Sequence, residues 1–233
     1  MDSKGIKERL SDLGADLCGI ASIDRFGEAP EGFHPRDVLS TCESVIVFAK
    51  RFLAGTLMCQ STVPYTIVRN RLSAELDRMA VLFCTELEQE GIIAIPTGAI
   101  GPTEWDKRTQ RFRNIISAKH AAEAAGLGVI GKNSLLITPE YGNMVWLAAI
   151  ITDVKLEPDQ LLQNTYCTEK CNLCRQACPI EAIKSQEMEQ LNCWEHAFGA
   201  EDRGDWKIKC YKCRTACPYV LGTQNKKIGR IKA

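Results

Sequence analysis

Residues 167 to 179 read CTEKCNLCRQACP, and residues 210 to 218 read CYKCRTACP. Each stretch sets its cysteines two or three residues apart and ends on a Cys-Pro pair, and Cys193 lies between the two. In two-cluster iron–sulfur proteins, three closely spaced thiolates bind one cube, and a further cysteine before a proline binds the other cube. The two stretches therefore predict that this part of the chain folds around two iron–sulfur clusters.

The spacing divides the eight cysteines into two sets of four. Eight thiols for eight ligand positions leave none over, which favours two [4Fe-4S] clusters. The first gap is three residues where two are usual, and Cys193 is displaced upstream of its partners. We expect one cluster on Cys167, Cys171, Cys174 and Cys217, and the other on Cys178, Cys193, Cys210 and Cys213.

Three other uses of these cysteines are open. The gaps between Cys167, Cys171 and Cys174 also match a radical S-adenosylmethionine site, but the 59 residues from 175 to 233 are too few for the β/α barrel that such a site opens. Structural zinc favours paired C-x2-C units, often with histidine, whereas two C-x3-C-P units stand here. Disulfides are rare where the compartment is reducing. Iron–sulfur binding is the reading that the pattern favours.

The totals describe an ordinary globular chain apart from its cysteines. It has 233 residues, 45% hydrophobic and 25% charged, with a formal net charge of zero, so no overall field favours nucleic acid or an acidic membrane. Residues 1 to 16 are charged and lack the apolar run of a signal peptide, and no window reaches about 18 apolar residues. We expect a cytoplasmic protein without a membrane span. The four cysteines outside the clusters are expected to be structural: Cys18, Cys42, Cys59 and Cys84.

The part before the cysteines reads as a mixture of helices and strands. Apolar residues recur at helical spacing in some segments, and short apolar runs between turn residues indicate strands in others. Residues 98 to 115 have no clean period and are expected to form an irregular excursion over a pocket. Helices are predicted at about 3–14, 65–90 and 117–125, strands at 17–21, 43–52, 92–96, 135–138 and 144–153, and a domain boundary at 157–160.

A glycine-rich stretch, AAGLGVIGKNS at 124 to 134, overlaps two nucleotide-binding motifs. Gly126, Gly128 and Gly131 give G-x-G-x-x-G, and Gly126, Gly131 and Lys132 give G-x-x-x-x-G-K, with Asn133 where a Ser or Thr would follow. Both motifs require a strand before the glycines and a helix after them. The predicted order is the reverse, so we expect a turn and not a nucleotide site.

The order of these segments resembles the epoxyqueuosine reductases and, more distantly, the reductive dehalogenases. The match runs from GADLCGIAS through ESVIVFAKRF and AAEAAGLGVIGKNSLLITPEYGNMVWLAAIITD to the two cysteine stretches. The resemblance implies an α+β fold, with a nitroreductase-like, corrinoid-binding domain over 1–158 and a two-cluster bacterial ferredoxin-like domain over 159–233. It also implies that the residues near a corrinoid (cobalamin) would be Gly128, Gly131, Lys132, Asn133 and Ser134.

Two features depart from that family. The epoxyqueuosine reductases carry an Asp-Tyr-His stretch whose aspartate is thought to donate a proton, and Pro64, Tyr65 and Thr66 stand at the matching position. Tyr65 is then a candidate proton donor, and His120, just before the glycines, is a second candidate catalytic group. Those enzymes also continue into a tRNA-binding helical-repeat domain without a counterpart here, so tRNA is not an expected partner.

Two functional hypotheses follow. In the first, the clusters pass electrons to a cofactor, most simply a corrinoid, or to a small-molecule substrate in the N-terminal domain. In the second, the chain has no substrate chemistry and hands electrons to a partner enzyme or to its corrinoid. Either needs a low-potential electron donor such as a ferredoxin or a flavodoxin. Residues 207 to 233 hold eight Lys or Arg and no Asp or Glu, which would suit an acidic donor.

Overall fold

The computed structural model describes residues 1–107, 111–163, 166–184, 188–200 and 204–223. Two short 3-10 helices cover Ile23–Phe26 and Ala54–Met58. The α-helices are α1 (Ser3–Asp12), α2 (Pro35–Val38), α3 (Val63–Gln89), α4 (Ala118–Ala124), α5 (Leu173–Gln176), α6 (Gln190–Ala197) and α7 (Lys212–Thr215). The strands are β1 (Leu17–Ser22), β2 (Ser44–Arg51), β3 (Ala94–Thr97), β4 (Glu104–Asp106), β5 (Arg111–Arg113), β6 (Val129–Ile130), β7 (Leu136–Ile137), β8 (Val145–Thr152), β9 (Phe198–Gly199) and β10 (Lys207–Ile208).

A four-stranded sheet in the order β1-β2-β8-β3 organises the first part of the chain, and all its neighbours are antiparallel. Four of the five predicted strands lie in it. The fifth, LLIT at 135–138, is not part of this sheet, because β7 pairs with β6 in a separate two-stranded hairpin. The chain is therefore a mixed helix-and-sheet protein, as expected, with the glycine-rich stretch in a hairpin of its own.

Both faces of the sheet are covered, which explains the unbroken apolar run in β2. Ile46 and Phe48 face one core, shared with α1 and α3, while Val45 and Val47 face a second core, shared with α4. All four side chains are fully buried. Burying one such side chain stabilises a fold by about 2 kcal/mol, so β2 anchors both layers.

The longest helix, α3, carries an apolar stripe that packs on the sheet. Leu76, Met79, Phe83 and Leu87 follow helical spacing and are buried against β2 and β8. Ile67 lies nine residues before Leu76, which places it on the opposite side of the helix, and it is 55% exposed. The first turn of α3 instead reaches toward the cysteine-rich part of the chain.

The predicted boundary at 157–160 runs back along the edge of β1. The backbone N–H of Asp159 donates to the carbonyl of Ile20 (2.9 Å), and the Asp159 carboxylate accepts from the Ile20 N–H (2.9 Å) and pairs with Lys7. Gly126, at φ +72°, leaves room for the Gln160 carbonyl, which a Cβ would overlap. The segment is thus fixed to the sheet, and the domain limits at 158 and 159 stay a prediction.

The structure describes part of two further segments that the sequence singled out, the irregular stretch at 98–115 and the basic stretch at 207–233. The excursion at 98–115 contains a short antiparallel hairpin of β4 and β5. Of the basic segment, Lys207 lies on β10 and Lys212 on α7, while residues 224–233 lie outside the described part of the chain. None of the described helices is both long and apolar enough to span a membrane.

Candidate metal centres

The structure brings the eight cysteines together as two sets of four, each around its own cavity. The space between the first four thiols amounts to about 310 Å³ and that between the second four to about 350 Å³, and both are partly open to solvent. The first is lined by Cys167, Cys171, Cys174, Cys217, Lys132, Asn133, Ile137, Tyr166, Pro218 and Tyr219. The second is lined by Cys178, Pro179, Ile180, Ile183, Met188, Cys193, His196, Ala197, Cys210 and Cys213. These are the two sets that the spacing predicts, and their role as ligands stays a prediction.

The cysteines surround spaces and do not converge on points. Within the described ranges, no three His, Cys, Asp or Glu side chains lie close enough to share one metal ion. A cube of four irons places its ligands around a volume, with one thiolate at each corner. The donor set and its spread fit that group.

Two short helices explain why each cysteine stretch contributes cysteines to both cavities. We call residues 167–178 the first cysteine loop and residues 210–217 the second. A helix, α5 or α7, lies inside each loop, and the two helices pack against each other. Each ends in a tight turn, where the Cys178 N–H donates to the Arg175 carbonyl (3.1 Å) and the Cys217 N–H donates to the Arg214 carbonyl (3.3 Å). Because a proline follows, the helix stops and the last cysteine of each loop turns toward the other cavity.

Burial disfavours the charged form of four of these thiols. It raises the pKa of Cys213 to about 12 and that of Cys193 to about 11, and it also raises the pKa of Cys174 and Cys217. Neighbouring cysteines add to the effect, since thiolates repel one another. As free side chains these four thiols would be neutral at pH 7. A cationic group that displaces their protons would offset both the cost of burying a thiolate and the repulsion between neighbouring thiolates.

Backbone N–H groups point at one sulfur of each set. The Lys132 N–H donates to Cys167 Sγ (3.4 Å), and the Ala182 N–H donates to Cys178 Sγ (3.3 Å). Such donors stabilise a thiolate and influence the potential of a bound cluster. Each cavity therefore has at least one hydrogen bond to the sulfur of a cysteine that lines it.

The stretch from 128 to 137, which we call the glycine hairpin, closes over the first cavity. Gly128 permits a close approach, because a Cβ there would lie 2.5 Å from the Ile137 carbonyl oxygen. Its turn places Ser134 at φ +57°, and the Ser134 N–H donates to the Gly131 carbonyl (2.8 Å). Lys132 and Asn133 occupy the tip and line the first cavity.

The polar groups at this tip bind the cysteine loops. Lys132 Nζ donates to carbonyls of the first loop, and Asn133 Nδ2 donates to the Cys213 carbonyl of the second (3.1 Å). Farther along, Asn143 Nδ2 donates to the Arg214 carbonyl (3.2 Å). The hairpin thus acts as a brace between the sheet and both loops, a role that depends on contacts distant in sequence.

The turn after β7 fixes the segment beyond the second loop. Gly142 has φ +59°, and a Cβ there would overlap the Tyr219 carbonyl oxygen. The Thr223 N–H donates to the Pro139 carbonyl (2.8 Å). A left-handed conformation and a close backbone approach both require glycine at 142.

The first predicted catalytic residue, Tyr65, is buried in an aromatic stack. Its side chain is 3% exposed, and its ring lies between those of Phe52 (centroids 4.4 Å apart) and Tyr211 (4.2 Å). Burial also raises the pKa of the Tyr65 phenol. The stack fills the space between the start of α3 and the second cysteine loop.

The second predicted catalytic residue, His120, lies away from both cavities on α4. It is exposed, and Ser117 Oγ lies 2.6 Å from its Nδ1. Desolvation, followed by the charge of Lys119, lowers the pKa of His120. A histidine that the sequence reasoning missed, His196, lines the second cavity one helical turn after Cys193. Its position three residues after Cys193 on one helix could have identified it from the sequence, because residues at that spacing share a helix face.

Two of the five residues that the resemblance assigns to a corrinoid have other partners in this arrangement, and the assignment itself stays a prediction. The side chains of Lys132 and Asn133 are used by the cysteine loops. Pro64 stands where the resemblance expects an aspartate, and the neighbouring Tyr65 is stacked and buried. A large planar ligand would therefore meet Lys132 and Asn133 side chains that are already hydrogen-bonded to the cysteine loops.

Comparisons with known proteins agree with the resemblance. No model of a known protein family matches the chain. The chain is 36% identical to the epoxyqueuosine reductase of Listeria monocytogenes over 111 residues, which cover 43% of this chain and 29% of that protein. An alignment of 260 residues with the epoxyqueuosine reductase of Leadbetterella byssophila has 25% identity and covers 93% of this chain and 79% of the relative.

Solved structures share the fold at low identity. A selenomethionine-labelled epoxyqueuosine reductase has a TM-score of 0.65 at 20% identity, covering 93% of this chain and 65% of that one. The enzyme from Streptococcus thermophilus has a TM-score of 0.63 at 20% identity, covering 94% and 66%. A catabolic reductive dehalogenase in complex with 3-bromo-4-hydroxybenzoic acid has a TM-score of 0.59 at 18% identity, covering 77% and 25%. By sequence the chain is thus similar to the epoxyqueuosine reductases, and its fold is similar to theirs and to that of a reductive dehalogenase.

Proposed function

We propose that this chain is an iron–sulfur oxidoreductase that holds two [4Fe-4S] clusters and moves electrons one at a time. The observation that carries the proposal is the division of eight thiols into two sets of four, each around its own cavity. Bound clusters would supply one-electron redox chemistry, which no protein side chain in either cavity offers at low potential. The relatives named epoxyqueuosine reductase support the same class of activity.

The two cavities are close enough to work as one unit. The Cys213 carbonyl accepts from Asn133, and Cys213 lines the second cavity while Asn133 lines the first. The helices α5 and α7 also pack directly against each other. Electrons entering at either centre would therefore have a short route through the protein to the other.

The arrangement that we propose has two parts. Residues 1–158 would form a nitroreductase-like domain, and residues 159–233 a ferredoxin-like domain with both clusters. The antiparallel sheet with helices on both faces supports the first part. The two Cys-Pro loops, related by their helices and turns, support the second.

Of the two hypotheses, the contacts favour an electron-transfer protein that serves a partner. Tyr65 is buried, and Lys132 and Asn133 bind the cysteine loops, so these residues are not available to a substrate or to a corrinoid. The electron source would be a low-potential one-electron carrier such as a ferredoxin or a flavodoxin. The acceptor would be a partner enzyme, or a corrinoid held by that partner.

Iron and sulfide analysis after anaerobic reconstitution tests the two-cluster proposal. We expect about eight irons and about eight sulfides per chain, as two [4Fe-4S] clusters require. Fewer than about seven irons after careful reconstitution would rule out two full clusters. Electron paramagnetic resonance of the dithionite-reduced protein should show two reduced clusters.

Addition of hydroxocobalamin then separates the two hypotheses. We expect no change in the cobalamin absorbance when the oxidised, reconstituted chain is mixed with it. A base-off cobalt spectrum, followed by cobalt reduction when dithionite-reduced clusters are present, would support a corrinoid-dependent reductase instead. The same spectra recorded with the apo-protein serve as the control, because they show any cobalamin that binds without the clusters.

A further inference from the structure

The Lys132 ammonium is fully engaged by the backbone of the first cysteine loop. Its Nζ donates to the carbonyls of Thr168 (3.0 Å), Glu169 (2.7 Å) and Cys171 (2.7 Å). An ammonium has three protons to donate, so each has an acceptor on this one loop. Three carbonyls that point toward one nitrogen fix the course of the loop around its cysteines.

These three acceptors are neutral, so they do not cancel the charge. Lys132 also lines the first cavity, and its own N–H donates to Cys167 Sγ (3.4 Å). The side chain therefore carries its positive charge on the loop that bears three of the four thiols of the first set. Its hydrogen bond to the Cys171 carbonyl is partly buried, and between charges that are partly shielded from water the interaction over several ångströms remains substantial.

We propose that Lys132 is a positioning residue that closes the first cysteine loop and raises the reduction potential of the first cluster. The inference rests on the two-cluster function proposed above. When the first cluster is reduced, it gains one electron from a low-potential one-electron donor, which is oxidised, and no bond forms or breaks. The reduced state carries one more negative charge, so a fixed cation stabilises it more than the oxidised state.

Variants of the full-length chain separate the charge from the hydrogen bonds. Lys132→Gln removes the charge but keeps an amide that donates to the carbonyls, and Lys132→Arg keeps the charge. The backbone N–H to Cys167 is unchanged in both. Lys170→Gln is the matched control, because it removes the same charge from the same loop at an exposed position.

The measurement is a potentiometric titration of the reconstituted proteins, followed by electron paramagnetic resonance. We expect two one-electron steps in the wild type. In Lys132→Gln, one step moves to lower potential while the other stays. At a fixed potential the reduced-to-oxidised ratio of that cluster falls on the order of tenfold, which is about 59 mV for a one-electron couple. Lys132→Arg and Lys170→Gln stay near the wild type.

Two results would overturn the inference while leaving the two-cluster function intact. One is a Lys132→Gln protein with about eight irons and both steps unmoved. The other is a Lys170→Gln protein whose step moves as far as that of Lys132→Gln, since this would show that any charge on the loop suffices. A wild type that never holds about eight irons would instead refute the proposed function itself.

Loss of a cluster from a variant is also decisive. If Lys132→Gln loses about half its iron while Lys132→Arg keeps it, the charge holds the loop closed, as proposed. If both variants lose about half their iron, the charge is not what matters, and the inference is wrong.

Discussion

The rings of Tyr65 and Tyr211 stack with their centroids 4.2 Å apart and their planes 16° apart. Tyr65 lies in the first turn of the longest helix, and Tyr211 follows Cys210, so this contact joins the sheet-bearing part of the chain to the second cysteine loop. In addition, the Ile208 N–H donates to Thr66 Oγ1 (3.0 Å). The start of α3 is therefore a structural support for the second cavity.

Replacing Tyr65 should affect stability and not chemistry. We expect Tyr65→Ala to lower the free energy of unfolding by about 3 kcal/mol, because it empties a buried site between two rings. Tyr65→Phe keeps the stack and should cost about 1 kcal/mol or less. Anaerobic urea unfolding measures both values. A Tyr65→Phe protein with full iron content but no electron transfer would contradict this and restore Tyr65 as a proton donor.

Each loop contributes its last cysteine to the cavity formed mainly by the other loop, and this predicts which cysteine variants lose the same cluster. We expect Cys217→Ala, although it lies in the second loop, to lose the same cluster as Cys171→Ala and to keep about half the iron. Electron paramagnetic resonance of the remaining cluster should then be alike in these two proteins and different in Cys213→Ala. Cys59→Ser, outside both cavities, should keep all its iron. If Cys217→Ala matches Cys213→Ala, the loops do not exchange ligands.

The turn at Gly142 should be intolerant of any side chain. Gly142→Ala places a Cβ against the Tyr219 carbonyl at φ +59°, and we expect it to lower the free energy of unfolding by about 3 kcal/mol. Because this turn holds the segment beyond Cys217, iron in the first cavity should fall as well. Gly27→Ala is the control, since nothing lies within 4 Å of its added Cβ. Equal stability of the two variants, measured by urea unfolding, would show that the turn relaxes freely.

Thiol reactivity should separate the surface cysteine from the buried ones. Burial raises the pKa of Cys84 to about 12, so it stays protonated and unreactive at pH 8, whereas Cys59 is exposed. We expect one fast-reacting thiol in the reconstituted native protein, absent from Cys59→Ser. The folded Cys84 also binds its proton more tightly than the unfolded thiol, whose pKa is about 8.5. The free energy of unfolding should therefore fall as the pH rises between about 8.5 and about 12. Rapid labelling of Cys84 at pH 8 would show that its core opens readily.

Much of this arrangement could be predicted from local patterns. The cysteine sets follow from spacing, because a short helix ended by proline has few ways to direct its thiols. The strands β1, β2 and β8 follow from apolar runs. LLIT was predicted as a strand, but sequence does not say which strand it pairs with, and β7 pairs with β6.

The contacts of individual side chains could not be predicted in this way. Lys132 stood beside glycines that resemble a phosphate loop, yet its acceptors lie 36 to 39 residues farther along the chain. Tyr65 follows Pro64, which stands where the resemblance expects an acid, and only packing against Phe52 and Tyr211 places Tyr65 in a buried stack. Both roles depend on tertiary contacts that spacing does not record.

Each cysteine loop contributes thiols to both centres, so damage at one centre affects the loop that also serves the other. In the two-cluster form that we propose, oxygen that destroys one cluster also frees one cysteine, Cys178 or Cys217, at the end of the other loop. That cysteine lies directly beyond a helix, α5 or α7, that bears one ligand of the surviving cluster. Damage by air at one centre should thus weaken the other, so the surviving cluster should lose its iron faster than it does in the intact protein.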